Sequence, residues 1–380
     1  MSVRRVDLND YSVDLRSAVE EAAADLRRGG LVVLPTETVY GIAARLDIED
    51  ARDKLATLRG DKPATPFTPH LAEPKEAEQY LGGPLTGVAD KLARKLWPGP
   101  VALVFQVADD VRTKVAADVG LETSQLFAEG GSLTLRCPDD PVTAAIISAA
   151  GQPLVITRAG MPAGTASEAP AEGDVAALPI DAILDGGRTR YSRPSTVVRI
   201  EPDGESWSVV REGVYDARII ERLLRTTVLF VCSGNTCRSP MAMAIGRQVL
   251  AKKLNVSPDK LGDEGYDVIS AGTFAMPDMR ATPAAVTAVA ELGGDLASHR
   301  SRPLDVALIH RADLIVTMGQ GHRDAVLGLV PSAADKTVLL NPDGDIEDPI
   351  GSDERHYREL ARQMEPLVKQ RVEEGITFGD

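Results

Sequence analysis

Cysteine is scarce. Three in 380 residues cannot make a disulfide framework, which points to a reducing, cytoplasmic setting. Aromatic residues make up only 4% of the chain, leaving few platforms for stacking nucleic-acid bases. No stretch approaches the roughly 18 consecutive apolar residues of a membrane helix. The opening segment, MSVRRVDLNDYSVDLRSAVEEAAADL, turns acidic where an export signal needs an apolar run, so no membrane partner is expected. The five histidines, at 70, 299, 310, 322 and 356, show no metal-ligand spacing, and no metal is expected on that ground. A basic excess is missing too: the net charge is −14. Residues 1–215 hold 23 Lys and Arg against 32 Asp and Glu, a balance of −9, and the remainder carries −5. Such a surface disfavours a phosphate backbone as partner and leaves any anion to be recognised locally.

What is present fits a folded protein of two domains. Hydrophobic residues make up 43% and charged residues 26%, a globular balance, and the length exceeds one ordinary core. A helix is expected from Leu15 to Arg28, stopped by Gly29-Gly30, and the apolar run from Leu31 to Pro35 reads as a buried strand. Further strands are expected at 101–107, 132–136, 154–157, 195–200 and 207–211, with helices at 48–59, 73–80, 89–96 and 142–150. Residues 158–180, rich in Ala, Pro, Gly and Glu, read as a surface loop. This is a mixed α/β domain over 1–215. Asp216 caps a short linker helix within 216–226. Strands at 228–231, 267–270, 314–318 and 338–340 then alternate with helices at 241–254 and 283–292 and a last one from Asp353. That alternation predicts a parallel-sheet α/β domain over 227–380.

Between strand and helix lies Cys232-Ser233-Gly234-Asn235-Thr236-Cys237-Arg238-Ser239-Pro240. Such a turn aims several backbone N–H groups at the positive end of the helix, a ready cradle for an oxyanion. Gly234 permits close approach or a positive φ, and Arg238 offers a planar fork for two phosphate oxygens. The same field favours the thiolate of Cys232, the reactive nucleophile. Ser239 can hydrogen-bond the sulfur and ease its departure. A buried cysteine and an unrelated surface arginine would explain two of these residues, but not strand, Cys, five residues, Arg-Ser-Pro and helix in that order.

This loop, with Ser270-Ala271-Gly272-Thr273, His299-Arg300-Ser301-Arg302 and Ala312-Asp313-Leu314-Ile315-Val316, resembles the low-molecular-weight protein tyrosine phosphatases over roughly residues 226–375. The resemblance implies Cys232 as nucleophile, Arg238 as transition-state clamp, Ser239 as aid to the departing sulfur, and Asp348 of Asp348-Pro349 as general acid and then base. Ser233, Gly234, Asn235, Thr236 and Cys237 complete the phosphate-binding loop, braced by Asn235. It further implies hydrolysis of a phosphorylated protein through a phosphocysteine, without cofactor, the energy coming from positioned donors. Cys237 is either a small packing residue or, as in the family, a trap that holds oxidised Cys232 as a disulfide. Phosphotyrosine-specific members carry Ile where Thr236 stands, and aromatic residues after the Asp-Pro, where this chain has Ile350-Gly351. Thr236 resembles the protein-arginine-phosphatase branch, its hydroxyl suited to polar groups near a phosphoguanidinium, and phosphoarginine is therefore favoured over phosphotyrosine.

The first half carries Pro35-Thr36-Glu37-Thr38-Val39-Tyr40-Gly41, Trp97-Pro98-Gly99-Pro100, Leu135-Arg136-Cys137-Pro138 and Pro194-Ser195-Thr196-Val197-Val198. As a set, over about residues 12–215, they resemble the YrdC-like, threonylcarbamoyl-AMP synthase family. That implies a twisted α/β sheet with a concave basic surface. In active members it implies use of ATP, bicarbonate and L-threonine to make an adenylate for tRNA modification. Two signature positions depart. The family's Lys-x-Arg is Arg59-Gly60-Asp61 here, followed by Lys62-Pro63, and its Ser-x-Asn is Arg158-Ala159-Gly160. An Asp in place of Arg beside a triphosphate turns attraction into repulsion, which Lys62 offsets only by a one-residue shift. Thr36, Arg59, His70, Arg136, Ser195 and Arg211 remain as ligand candidates or as inherited scaffold. His70 can be a satisfied imidazole, Arg136 a strand ion-pair partner, and Cys137 a packing residue.

The leading expectation is a cysteine-dependent protein phosphatase fused to a YrdC-like ligand-binding domain that no longer makes the adenylate. One alternative is a bifunctional protein with L-threonylcarbamoyladenylate synthase activity, for which alone ATP and Mg are implied. Another is a non-catalytic nucleotide- or RNA-binding module. Nucleotide, threonine and tRNA are disfavoured as partners.

Overall fold

In the computed structural model, which describes residues 3–59, 66–151, 153–158, 161, 167–171, 175 and 178–376, the side chain of Arg59 lies outside the described set. The chain divides into two compact units, Met1–Ile220 and Glu221–Asp380. The division falls inside the short helix Ala217–Leu223, where Asp216 Oδ1 accepts the Ile219 N–H at 2.8 Å as a cap.

The first unit holds strands β1 (Arg4–Asp7), β2 (Val32–Leu34), β3 (Gly41–Arg45), β4 (Val101–Gln106), β5 (Ser132–Arg136), β6 (Leu154–Thr157), β7 (Ala182–Asp185), β8 (Thr196–Ile200) and β9 (Trp207–Arg211). Their order is β1-β7-β2-β3-β6 in one sheet and β5-β4-β8-β9 in another. Pro69 and His70 stitch the two together, Pro69 bridging Val155 of β6 and His70 bridging Arg136 of β5. Pro69 has no N–H to donate, but its carbonyl accepts the Arg136 N–H at 3.1 Å, and the His70 and Leu71 N–H groups donate to Leu154 O and Arg136 O, both at 2.8 Å. The expected twisted sheet is thus two sheets joined by a two-residue segment. Helices Leu15–Arg27 and Pro141–Ala150 bury Ala22, Leu26, Ile146 and Ile147 against Val32, Leu34 and Leu184 of the first sheet. The chain leaves the first of these helices through Gly29, whose φ of +81° is a left-handed conformation that glycine adopts without strain.

The second unit is a parallel sheet of β10 (Thr226–Cys232), β11 (Tyr266–Gly272), β12 (Leu314–Thr317) and β13 (Thr337–Leu339), in the order β11-β10-β12-β13. Strand β10 is apolar on both faces because both are covered. Val228 and Phe230 pack under the helices Arg238–Leu254 and Glu354–Gly375, while Leu229 and Val231 pack on the opposite side with Ile309 and Val326. The first strand lies inside the sheet, so the connections diverge between β10 and β12, and their carboxyl ends open a crevice. Cys232 ends β10 at that crevice. Among the described residues no helix is long and apolar enough to cross a membrane.

Candidate active site

The helix after β10 begins at Arg238 rather than at Met241, so the loop is one tight turn from Cys232 to Cys237. Cys232 is 2% exposed, its Sγ 2.9 Å from Ser239 Oγ and accepting the Asn235 N–H at 3.3 Å. Asn235 carries the loop's strain, with φ +54°. Its side chain holds that shape: Nδ2 donates to Ser239 Oγ and to Ser270 Oγ, both at 2.9 Å, and Oδ1 accepts the Arg302 N–H at 2.9 Å. His299 Nε2 reaches the Asn235 carbonyl at 2.8 Å. Gly234 does not supply the positive φ, and a Cβ there would meet only Thr236 Oγ1 among protein atoms, at 3.6 Å. A close approach within the protein falls on Gly272, where a Cβ would lie 2.4 Å from Ser233 O.

The groups expected to favour a thiolate surround Cys232, and burial works against them. Burial pushes the Cys232 thiol up, against the hydrogen bonds of Ser239 and Asn235 and the attraction of Arg238. Arg238 is buried, donating through NH1 to Ile346 O at 3.0 Å and through NH2 to Ser233 Oγ at 3.3 Å. The same NH2 is ion-paired with Asp348. The structure therefore brings Asp348 to the loop from 110 residues away, holding it on the residue that is to clamp phosphate.

His322, unassigned by sequence reasoning, sits at the same crevice. Its Nε2 is 2.9 Å from Ser233 Oγ, and its Nδ1 is buried without a hydrogen-bond partner among the described residues. Burial and then Arg238 hold the imidazole below its ordinary value, against the pull of Asp345 and Asp348, so it is neutral at neutral pH. Its position just past β12, next to β10, was the available signal. Cys237 is buried among hydroxyls, 3.3 Å from Tyr357 Oη, 3.6 Å from Thr282 Oγ1 and 3.7 Å from Thr236 Oγ1. Thr236 is half-buried and Ile350 is 70% exposed. An aromatic residue does stand beside the loop, from the other side: Phe274 is 86% exposed and its N–H donates to Ser233 O at 3.0 Å.

In the first unit, Thr36, His70, Arg136, Ser195 and Arg211 line one cavity of about 510 Å³. Arg59-Gly60-Asp61 and Lys62, with Ala159-Gly160, lie outside the described residues or, for Arg59, outside the described side chains. Arg158 stands in the cavity wall, NH1 donating to Tyr40 O at 3.3 Å, and the cavity persists beside it. Arg136 forms a buried ion pair with Glu37 at 2.8 Å and donates to Thr38 Oγ1 at 2.7 Å. His70 is buried, with Nδ1 accepting the Ile156 N–H at 3.2 Å, and burial followed by Arg136 pushes it down to about 3. Cys137 is buried next to Ala72 O, its thiol pushed up to about 12 by burial.

A cysteine loop at the carboxyl edge of a parallel sheet, with a buried guanidinium and a distant carboxylate, defines a phosphatase of the cysteine type. Comparison with known proteins places it further. The family described as low molecular weight phosphotyrosine protein phosphatase matches residues 227–374, and the Sua5/YciO/YrdC family, described as "Telomere recombination", matches residues 24–213. A protein-arginine-phosphatase of Bacillus subtilis is 36% identical over 149 residues, 38% of this chain and 92% of that protein. A probable low molecular weight protein-tyrosine-phosphatase of Ralstonia solanacearum is 38% identical over 125 residues, 32% of this chain and 77% of that protein. A threonylcarbamoyl-AMP synthase of Bacillus subtilis is 32% identical over 205 residues, 52% of this chain, and the chain spans only 54% of its length. The chain belongs to both families, the Sua5/YciO/YrdC family through its first half and the low-molecular-weight phosphotyrosine protein phosphatases through its second. The second unit is a hydrolase domain, a cysteine-based protein phosphatase that acts on phosphorylated proteins.

Proposed function

We propose that the second unit hydrolyses phosphoarginine, in preference to phosphotyrosine, through a phosphocysteine formed on Cys232, and that the first unit binds a small ligand without making threonylcarbamoyl-AMP. The observation that carries the phosphatase reading is the joint placement of Cys232 Sγ, Ser239 Oγ and the Arg238–Asp348 pair around one loop. A phosphoryl dianion in the loop competes for Arg238 and displaces Asp348. The Cys232 proton then passes, through a phosphoryl oxygen, to the released carboxylate. Sulfur attacks phosphorus as Asp348 returns that proton to the departing nitrogen. Asp348 next takes a proton from water, water attacks phosphorus, and the sulfur leaves as a thiolate stabilised by the Ser239 hydroxyl.

The branch preference is supported by Thr236 in the loop and by the identity with a protein-arginine-phosphatase. The deciding experiment is hydrolysis of matched phosphoarginine and phosphotyrosine peptides by the full chain and by Cys232→Ser. The expected result is a higher kcat/KM for phosphoarginine, complete loss in Cys232→Ser, and a phosphoryl adduct on Cys232 in acid-quenched wild type. Undiminished hydrolysis by Cys232→Ser overturns the mechanism. The bifunctional reading draws on one observation, the open cavity that gathers five of the six candidate side chains. ATP- and threonine-dependent release of pyrophosphate by the full chain, well above background, would establish it; none is expected.

A further inference from the structure

A second cavity of the phosphatase unit, about 420 Å³ in volume, shares no lining residue with the cysteine loop. Arg247, His299, Arg300 and Arg302 line it, together with Asp278 and Asp295. In a chain with 56 acidic residues, none of the three guanidiniums forms an ion pair among the described residues. Arg247 donates to Val268 O at 3.1 Å and Arg300 to His299 O at 2.7 Å, while the Arg302 side chain makes no hydrogen bond among the described residues. Burial pushes both Arg247 and Arg302 down from their ordinary value, against the attraction of Asp267 on both, of Asp295 on Arg247 and of Asp305 on Arg302. The lining itself carries three guanidiniums against two carboxylates, an excess of basic groups in an acidic unit.

The wall of this cavity is also the brace of the catalytic loop. His299 Nε2 holds the Asn235 carbonyl at 2.8 Å, and the Arg302 N–H holds Asn235 Oδ1 at 2.9 Å. Asn235 is the left-handed residue whose N–H reaches Cys232 Sγ. The segment 299–302 therefore touches the cavity with its side chains and the loop with its polar groups.

We propose that this cavity is a regulatory site for a small phosphate-bearing anion, and that its occupancy tunes the cysteine loop through Asn235. Guanidinium forks match phosphate oxygens in pairs, and the volume admits more than a single phosphate. An anion drawn between Arg300 and Arg302 fixes the 299–302 segment, and with it the Asn235 conformation that aims the N–H at sulfur. The effect falls on the chemical step rather than on substrate affinity.

The probe is sodium pyrophosphate, with inorganic phosphate as the smaller comparison. Calorimetric titration of the full chain carrying Arg238→Ala reads the cavity without the loop's own phosphate clamp. Saturable binding is expected, weakened by about tenfold or more when Arg300→Gln and Arg302→Gln are added. No saturable binding, or binding indifferent to the pair, overturns the proposal, because heat that survives belongs to the loop or to the cavity of the first unit. Arg300 is exposed, so Arg300→Glu alone keeps the test open should the pair fail to fold. With Arg238 intact, pyrophosphate is expected to alter kcat at saturating aryl phosphate and to lose that effect in the Arg300/Arg302 variant. Purely competitive inhibition in both chains overturns the coupling. The calorimetric arm does not depend on the phosphatase reading, so the two can fail separately.

Discussion

Ser239→Ala separates the departure of the sulfur from its attack. The Ser239 hydroxyl is fully buried, 2.9 Å from Cys232 Sγ, 2.9 Å from Asn235 Nδ2 and 3.3 Å from Ala271 O. It accepts from Asn235 and turns its own proton to the sulfur when the sulfur is anionic, or to Ala271 O when it is not. A hydrogen bond to a charged group contributes about 1.5–3 kcal/mol, so its loss raises the thiol further. Attack bears only part of that cost, since a more basic sulfur is scarcer as thiolate but more nucleophilic, and a Brønsted slope of about 0.4–0.5 recovers roughly half of it. Departure bears the whole cost, a factor of about 10 to 100. The loop brace survives, because Asn235 keeps Ser270 at 2.9 Å. Rapid mixing with a chromogenic aryl phosphate is expected to show a burst of phenol equal to the enzyme, then turnover about 10- to 100-fold slower than wild type. Equal loss in the first turnover and in steady state would mean that the hydroxyl only shapes the loop. An unchanged kcat would refute any role at the sulfur.

Thr236→Ile is expected to shift relative kcat/KM from phosphoarginine towards phosphotyrosine peptides, and an unchanged ratio removes the basis for the branch preference. Cys237→Ser is expected to make peroxide inactivation irreversible by thiol, where wild type recovers; full recovery of the variant leaves Cys237 as packing beside Tyr357. His70 folds neutral, pushed from 6.5 to about 3. The folded state therefore binds fewer protons than the unfolded one, and stability is whole above the unfolded value and drains as pH falls towards the folded one. Between about pH 7.5 and about pH 5 the loss from this group is about 2 kcal/mol. Urea titrations followed by Trp97 and Trp207, both in the first unit, should show that slope, and His70→Gln should flatten it; an equal slope in the variant refutes the account.

How much of this was legible depended on distance along the chain. The loop is local: Cys232, Arg238 and Ser239 lie on one turn, so order alone carried them. Asp348 is 110 residues off and came only through family resemblance, and His322 was passed over because a lone histidine has no pattern. Gly234 drew the positive φ by composition, whereas the fold gives it to Asn235, whose side chain can bond its surroundings in return. In the first unit the expected strands at 101–107, 132–136, 154–157 and 207–211 coincide with β4, β5, β6 and β9. Strands β1, β3 and β7 were missed: RRVD is charged at a sheet edge, GIAAR has a single β-branched residue, Ile42, and AILD follows an Ala- and Pro-rich stretch. Helices Asp109–Asp118, Val306–Arg311 and Gln320–Leu329 were missed as well, each too short or too weakly patterned to stand out. The direction of the Cys232 shift was unreadable, since burial is a property of the fold.

Both sites hold an arginine on a carboxylate, and the pairs differ in exposure. Glu37 and Arg136 have side chains 1% and 8% exposed, and Glu37 also accepts the Asp139 N–H at 3.1 Å. Parting them would leave two charges without water, a change that in buried pairs costs about 3–5 kcal/mol, so the pair resists separation by an incoming anion. Its Nε is buried and has no hydrogen-bond partner among the described residues. Arg238 is as buried, at 9%, but its partner Asp348 is 43% exposed and finds water as soon as it lets go. Exposed partners contribute little to holding a pair together. The proposed mechanism draws on that asymmetry: the guanidinium is held under the loop, and the exposed carboxylate is the partner that can part from it to handle protons.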